Sequence, residues 1–440
     1  MRRIDARSAR RALPERLAPV VDRIAATGDR LGIGVLLVGG PVRDLLLGRR
    51  VLDVDLVVEA RAGGEAELAS RLAEAAQAPG EKLLAHARFG TVTLSGPHGA
   101  IDLARARAET YAASAALPQV RVGSLEEDLA RRDFSVNAMA IPLNDHARAG
   151  RGALVDPHAG QRDLAARRLS VLHPLSFFDD PTRALRGARL AARLGFRLDA
   201  ASRRALCAAI AARVFRALSG ERTRAELERL FADARRGVVD PGRALALLDR
   251  DGVLAALSPG LACTRELRGP LRWLGAELAG GETLAADPFE AGLSAWLAPV
   301  PARVRRRALE RFAIRGRPAE RVHGFPRLAR RLERAPAWAK GRGAEDALLR
   351  GVPPEQLLAF AAHVRAARAP VLRHLRIDRA RRAPLGGEDL LALGLRGPAL
   401  GRALAALRSA FLDGEFDDRE QAQAWLRARR QRFEGRARPS

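Results

Sequence analysis

Lysine is nearly missing from this chain: Lys82 and Lys340 are the only two among 76 basic residues. Biased base composition explains arginine in lysine's place, but not the excess of those bases over 51 acids. Cysteine is as scarce. Cys207 and Cys263 lie far apart in Ala- and Leu-rich stretches, which excludes a disulfide framework or a cysteine zinc site. They read as small core residues in a reducing compartment. Aromatics make up 4% of the chain, too few to hold nucleic acid mainly by base stacking. His86 and His98 stand alone, and no His/Asp pairing suggests an added phosphohydrolase module. No apolar run approaches the ~20 residues that a membrane span requires. The opening MRRIDARSARRALPERL has charges but no following apolar run, which argues against a secretory signal. The expectation is a cytoplasmic protein with no membrane partner.

At 440 residues the chain has room for several domains. Its 48% hydrophobic and 29% charged residues place it among soluble globular proteins. The formal charge of +25 attracts polyanions at long range. Nucleic acid is the expected partner. With few aromatics, arginine–phosphate contacts would dominate, so binding should weaken steeply with salt.

Texture changes along the chain. Residues 1–30 read as a basic helical extension. From 31 to 145, short β-type runs (Val35–Gly40, Val51–Glu59, Thr91–Leu94, Ala100–Ala104) alternate with helical stretches such as Glu65–Gln77, giving a small α/β head. From about Asp163 the β-type runs vanish and Ala, Leu, Arg and Glu recur at helical spacing, broken by Pro and Gly. Residues 146–265 read as a helical neck and body, and 266–440 as a further helical body and tail. No repeat of fixed period stands out.

Residues 37–58 read LVGGPVRDLLLGRRVLDVDLVV. A β-run delivers Gly39 and Gly40 to a turn, and Pro41–Leu47 reads as the helix leaving it. Glycine lets backbone N–H groups approach a phosphate closely, and a helix start favours negative charge. Arg43 follows within one turn, either to neutralise phosphate or to pair with Asp44 on the surface. Asp53 and Asp55 are the sharper signal. Leu52, Val54, Leu56 and Val58 alternate as a buried face, so the acids project from the other face, about 6–7 Å apart. Two carboxylates so placed can hold divalent metals roughly 3.5–4 Å apart for in-line phosphoryl displacement. The plain alternative is a solvated strand edge carrying two acids. Asp102, in the β-run Ala100–Ala104 after Thr91–Leu94, is either a third carboxylate of that cage or a hydrogen-bonded strand-end acid.

Two later segments, EDLARRDFSVNAMA (127–140) and FFDDPTRALRGARLAARLGF (177–196), follow in order. Together with the first constellation they resemble the class II tRNA nucleotidyltransferases and the related bacterial poly(A) polymerases. The resemblance is dense from Leu36 to Phe196. It continues through Gly220-Glu221-Arg222 to Glu226, similar to a helix that braces the family's neck, and returns in the tail at 384–407. It implies a nucleotidyltransferase α/β head, a small mixed sheet with helices, followed by an all-α neck, body and tail. By position it implies Asp53 and Asp55 as the metal pair, with Mg²⁺. Gly40 and Arg43 would form the triphosphate loop beside Gly39. Arg132 would bind nucleotide and Asp133 would sense the ribose. Asp180 and Arg183 match the templating segment, in which Asp179 replaces the usual Glu.

That templating can also be argued from chemistry. Cytosine and adenine each present an amino donor beside a ring-nitrogen acceptor, whereas uracil and guanine place a carbonyl at the amino position. A fixed carboxylate with a guanidinium beside it would accept the first pair and reject the second. The competing reading makes Asp180 a helix N-cap with Pro181 in the first turn. Arg183, Arg186 and Arg189 would then form a basic stripe opposite Leu185, Ala188 and Ala192. Both can hold at once, and Arg186 and Arg189 join the expected nucleotide-binding set.

The implied reaction is attack of a tRNA 3′-hydroxyl on the α-phosphate of ATP, with CTP as the further candidate substrate. Pyrophosphate leaves. The expected partners are the 3′ end and elbow of tRNA, and a separate CC-adding enzyme if only adenosine is added. HARFGTVTL (86–94) and the 384–407 tail look like those of A-adding enzymes, with full CCA addition close behind. The alternatives are a CC-adding enzyme or a poly(A) polymerase. In another class stands a non-catalytic RNA-binding protein that kept an inactive head.

Overall fold

The computed structural model describes residues 6–60, 67–86, 90–147, 153–280, 285–335, 338 and 340–434. They form two compact units. The first comprises Met1–Arg222 with Arg250–Leu257, the second Thr223–Asp249 with Ser258–Ser440.

The first unit is built on a six-stranded mixed sheet in the order β3-β4-β5-β2-β1-β8. Its strands are β1 (Ile33–Val38), β2 (Asp55–Ala60), β3 (Lys82–His86), β4 (Thr91–Gly96), β5 (Gly99–Arg105) and β8 (Ala140–Pro142). A separate hairpin joins β6 (Arg107–Thr110) to β7 (Gln119–Val122). Only β2 and β5 run parallel within the large sheet. Both are interior strands, so Leu56, Val57 and Val58 are all buried, as are β1's Val35 to Val38. Burial on both faces explains the continuous apolar run.

Helices α1 (Ala6–Ala12) and α2 (Ala18–Leu31) precede the sheet. The expected basic extension is therefore partly head: α2 buries Val20, Val21 and Ile24 and packs on β1. Helix α3 (Gly40–Leu46) leaves β1, and α4 (Leu68–Ala76) packs on α2 and on β2, β4 and β5. Helix α5 (Leu125–Ala130) starts with a capping box between Ser124 and Glu127. Its Leu125 and Leu129 join Leu36, Val38, Val57 and Ala140 in one core cluster. The expected Glu65–Gln77 helix begins at Leu68; residues 65 and 66 lie outside the described set, as do 87–89 of the HARFGTVTL segment.

Beyond the sheet come α6 (Gly160–Ala165), α7 (Ser176–Asp179), α8 (Thr182–Leu194), α9 (Ala200–Ala211) and the start of α10 (Gly220–Arg235). β-structure does not vanish here as expected. Strand β9 (Arg168–Leu169) pairs in parallel with β10 (Arg197–Leu198), and Phe134 bridges to Val171. Such two-residue pieces carry no sequence period. Cys207 on α9 is exposed, unlike the expected core residue, while Cys263 is buried.

The second unit has no strand among its described residues. Helices Pro288–Leu297 and Pro354–His363 pack together and are buried along nearly their whole lengths. The 384–407 segment forms Gly387–Ala392 and most of Gly397–Asp413. Leu390, Leu407 and Phe411 from these join Leu426 and Phe433 in a core. No helix among the described residues is long and apolar enough to cross a membrane.

Candidate active site

Strand β1 ends at Val38 and the chain turns through Gly39, whose φ is +75° and ψ −129°. Only glycine adopts that conformation without strain. A Cβ there would also stand 2.7 Å from Nη1 of Arg132, so a larger residue would push that guanidinium aside. Leu37 pairs with Leu56, which brings this turn to the sheet edge where β2 begins.

Asp55 is the first residue of β2. Asp53 is exposed at a bend before it, and Val54 is buried. The expected strand from Val51, with both acids on its solvent face, is thus corrected. Leu56 to Glu59 of β2 are buried, and Asp55 stands at the half-buried start of the strand. Asp102 on β5 stands in register with Asp55, its Oδ1 accepting from the Thr93 hydroxyl at 2.6 Å. Burial pushes the Asp55 carboxyl up to about 6; Arg132 opposes this, and the Asp102 and Asp53 charges add to it. Among the described residues no group of three or more His, Cys, Asp or Glu side chains is arranged as a metal-binding set. The acids present are oxygen donors that repel one another, a combination that suits a divalent cation.

Arg132 donates to the fully buried Asp128 at 2.9 Å, and Asp128 also takes Arg131 at 2.6 Å. Asp133 is buried and accepts from the Phe134 N–H (2.8 Å) and Asn137 (3.0 Å), while Arg186 pairs with it at 2.9 Å. Burial opposes its charge, but Arg186 and these hydrogen bonds hold its carboxyl below the usual carboxylate range. Phe134 anchors the segment from below. A Cβ on Gly187 would lie 2.7 Å from the Phe134 ring, so glycine there allows α8 to lie directly on it.

Helix α8 begins at Thr182, after Pro181, rather than directly after Asp180. Asp180 still caps the turn, accepting from the Thr182 N–H at 2.9 Å. Arg183 is buried; its guanidinium donates to the Ser176 hydroxyl and, at 2.8 Å, to the Arg131 carbonyl. The stripe of Arg183, Arg186 and Arg189 is not one solvated face, since Arg183 is buried and Arg186 and Arg189 are half-buried.

These parts meet in a cavity of about 360 Å³, lined by Gly40, Asp55, Arg132, Asp133, Asp180, Arg183 and Arg186 among the expected residues. Gly39, Asp53, Arg43 and Arg189 do not line it. Arg43 is 4% exposed, with its guanidinium on Asp44 at 2.8 Å and on Asn137 at 2.6 Å; Arg193 reaches the same Asp44. Its pairing with Asp44 is therefore a buried one and not the surface salt bridge weighed from sequence.

Residues 35–170 match the profile of the poly A polymerase head domain. Over 176 residues the chain is 44% identical to an A-adding tRNA nucleotidyltransferase of Aquifex aeolicus, covering 40% of this chain and 20% of that one. Over 395 residues it is 34% identical to a CC-adding tRNA nucleotidyltransferase of Deinococcus radiodurans, covering 89% of this chain and 88% of that one. The chain belongs to the tRNA nucleotidyltransferase family. A solved CCA-adding enzyme of Thermotoga maritima, complexed with tRNA, superposes with a TM-score of 0.67 at 28% identity, covering 98% of this chain and all of that one. The A-adding relatives are spanned over only 20–40% of their own length.

The cavity has further walls that the sequence motifs do not point to: Arg107, Glu109, Tyr111, Arg131 and Asn137. Glu109 joins them, taking Arg107 and Arg131 at 3.0 Å each and the Tyr111 hydroxyl at 3.1 Å. The alternation of β6 is too short to stand out, but Arg131 and Asn137 lie inside the EDLARRDFSVNAMA segment.

Proposed function

We propose that this chain transfers nucleotides from a nucleoside triphosphate to the 3′ end of tRNA, adding at least the terminal adenosine and working in the cytoplasm. One observation carries the reading: a single cavity holds Asp55 at the start of β2 and the Asp180–Arg183 pair before and within α8. Chemistry and base selection are thereby within reach of one bound nucleotide.

Asp53 and Asp55 are proposed to hold a divalent cation, Mg²⁺, whose chemistry when bound is to acidify the RNA 3′-hydroxyl and offset charge on departing pyrophosphate. Gly40, behind the Gly39 turn, offers backbone to the triphosphate without a side chain in the way. Arg132 supplies positive charge between that turn and Asp55. Asp133 faces the ribose, oriented by Asn137 and Arg186. Asp180 accepts from the base's amino group and Arg183 donates to the ring nitrogen. Arg43 acts from behind the loop as a buried brace, and Arg189 extends the basic side of α8. The +25 charge draws in RNA. The helical second unit is the proposed seat of the tRNA elbow.

A second reading, CC addition, is favoured by the relative matched over most of its length. The test incubates the protein and Mg²⁺ with tRNAs lacking the whole CCA end, ending in the first C, or ending in the second C. ATP and CTP are supplied separately. Adenosine added only after the second C establishes an A-adding enzyme, which then needs a separate CC-adding partner. Cytidine added to the shorter ends without adenosine establishes CC addition, and incorporation of both establishes CCA addition. Long adenosine tails on any RNA would instead mark a poly(A) polymerase. No incorporation at all would leave an RNA-binding protein with an inactive head.

A further inference from the structure

Asp180 is gripped by one of its two oxygens. Its Oδ1 accepts from the Thr182 N–H at 2.9 Å, the Thr182 hydroxyl at 2.6 Å, and Nη2 of Arg222 at 2.6 Å. Among the described contacts no hydrogen bond reaches Oδ2. The other terminal nitrogen of Arg222 donates to the Ala115 carbonyl at 2.9 Å, and the Ala115 N–H donates to the Phe178 carbonyl at 2.9 Å. Arg222 on α10 thus closes a ring that runs through the β6–β7 connection and α7 to Asp180. Neither partner is loosely placed: their side chains are 23% and 14% exposed.

The chemistry of the bases gives this grip a consequence. A carboxylate with both oxygens free forms a fork that matches two adjacent donors, which is what guanine offers at N1 and its exocyclic amino group. Adenine and cytosine offer an amino donor beside an acceptor, and need one oxygen only. With Oδ1 committed to Arg222 and Thr182, Oδ2 alone is left for a ligand. We propose that Arg222 is a positioning residue for nucleotide selection, holding Asp180 in one orientation so that it accepts a single amino donor and refuses the guanine fork. The inference rests on the reading that Asp180 contacts the base.

The test compares kcat/KM for ATP, GTP and purine riboside triphosphate, which lacks the exocyclic amino group, on one tRNA. Wild type, Arg222→Gln, Arg222→Lys, Thr182→Val and Asp180→Ala are measured, with melting temperatures alongside. In Arg222→Gln the preference for ATP over both other nucleotides should fall about tenfold or more, the scale of one charge-assisted hydrogen bond. Lysine should restore part of it, and Thr182→Val should move it the same way by less. If Arg222→Gln slows ATP and purine riboside triphosphate equally while Asp180→Ala erases the preference, Arg222 only braces the fold and the inference fails. If Asp180→Ala leaves the preference intact, the base contact itself is wrong and the inference falls with it.

Discussion

Asp55 and Asp102 stand opposite each other on adjacent parallel strands, two carboxylates on one rung of the sheet. Burial and this pairing raise the Asp55 carboxyl to about 6, so the folded chain binds its proton more tightly than the unfolded chain does. The stability this group contributes is present below about pH 4 and is lost as pH rises through about 6. In chelator, Asp55→Asn should therefore be more stable than wild type at pH 7.5 by on the order of 2 kcal/mol, and the two should converge near pH 4. Urea unfolding at both pH values checks this. A variant no more stable at pH 7.5 would mean that Asp55 is not under electrostatic strain.

Gly39 is held to glycine by its backbone, and a Cβ there would press on the Arg132 guanidinium. Gly39→Ala should cost about 1–3 kcal/mol and displace the Arg132 guanidinium from beside Asp55. The expected result is a folded protein with nucleotide incorporation down at least tenfold. Calorimetry and incorporation on the same preparation separate the two effects.

Arg43 reads from sequence as a phosphate contact, yet it is buried against Asp44 and Asn137. Arg43→Ala leaves Asp44 with Arg193 alone and should destabilise by about 3 kcal/mol. Its melting temperature should fall before any change in ATP affinity is resolved. A variant of normal stability that binds ATP weakly would return Arg43 to the triphosphate.

In the second unit, Asp346 is fully buried and takes Arg350 at 2.6 Å, Arg408 at 2.8 Å and His374 at 3.0 Å. Burial opposes its charge, but those hydrogen bonds hold its carboxyl far below the usual range. Its stabilisation is present above the ordinary carboxylate pKa and fades only in strong acid. Asp346→Ala should cost about 3–5 kcal/mol, leaving Arg408 and Arg350 without their acceptor. Denaturant unfolding of the whole chain reads it.

Much of the site was legible because its residues are near neighbours in sequence. Gly40, Asp55, Arg132, Asp133, Asp180 and Arg183 sit in three short segments whose polar residues interrupt apolar runs, and the fold brings all six to one cavity. Arg222 reads from sequence only as part of a brace, since its hydrogen bond to Asp180 spans 42 residues and leaves no local pattern. Strand β2 is shorter than its sequence suggests because Val51 and Val54 are apolar and buried without belonging to the strand. The short strands β6 to β10 were invisible for a related reason: their stability comes from partners and not from periodicity.

The central claim is that the strand-end acids perform the transfer inside a surface that also reads the base. The most direct test measures pyrophosphate release and tRNA binding side by side for wild type and Asp55→Ala. Release should fall by about a thousandfold or more, as expected when a residue of the reacting centre is removed, while tRNA affinity stays within about twofold. Equal rates of release in the two proteins would contradict the account.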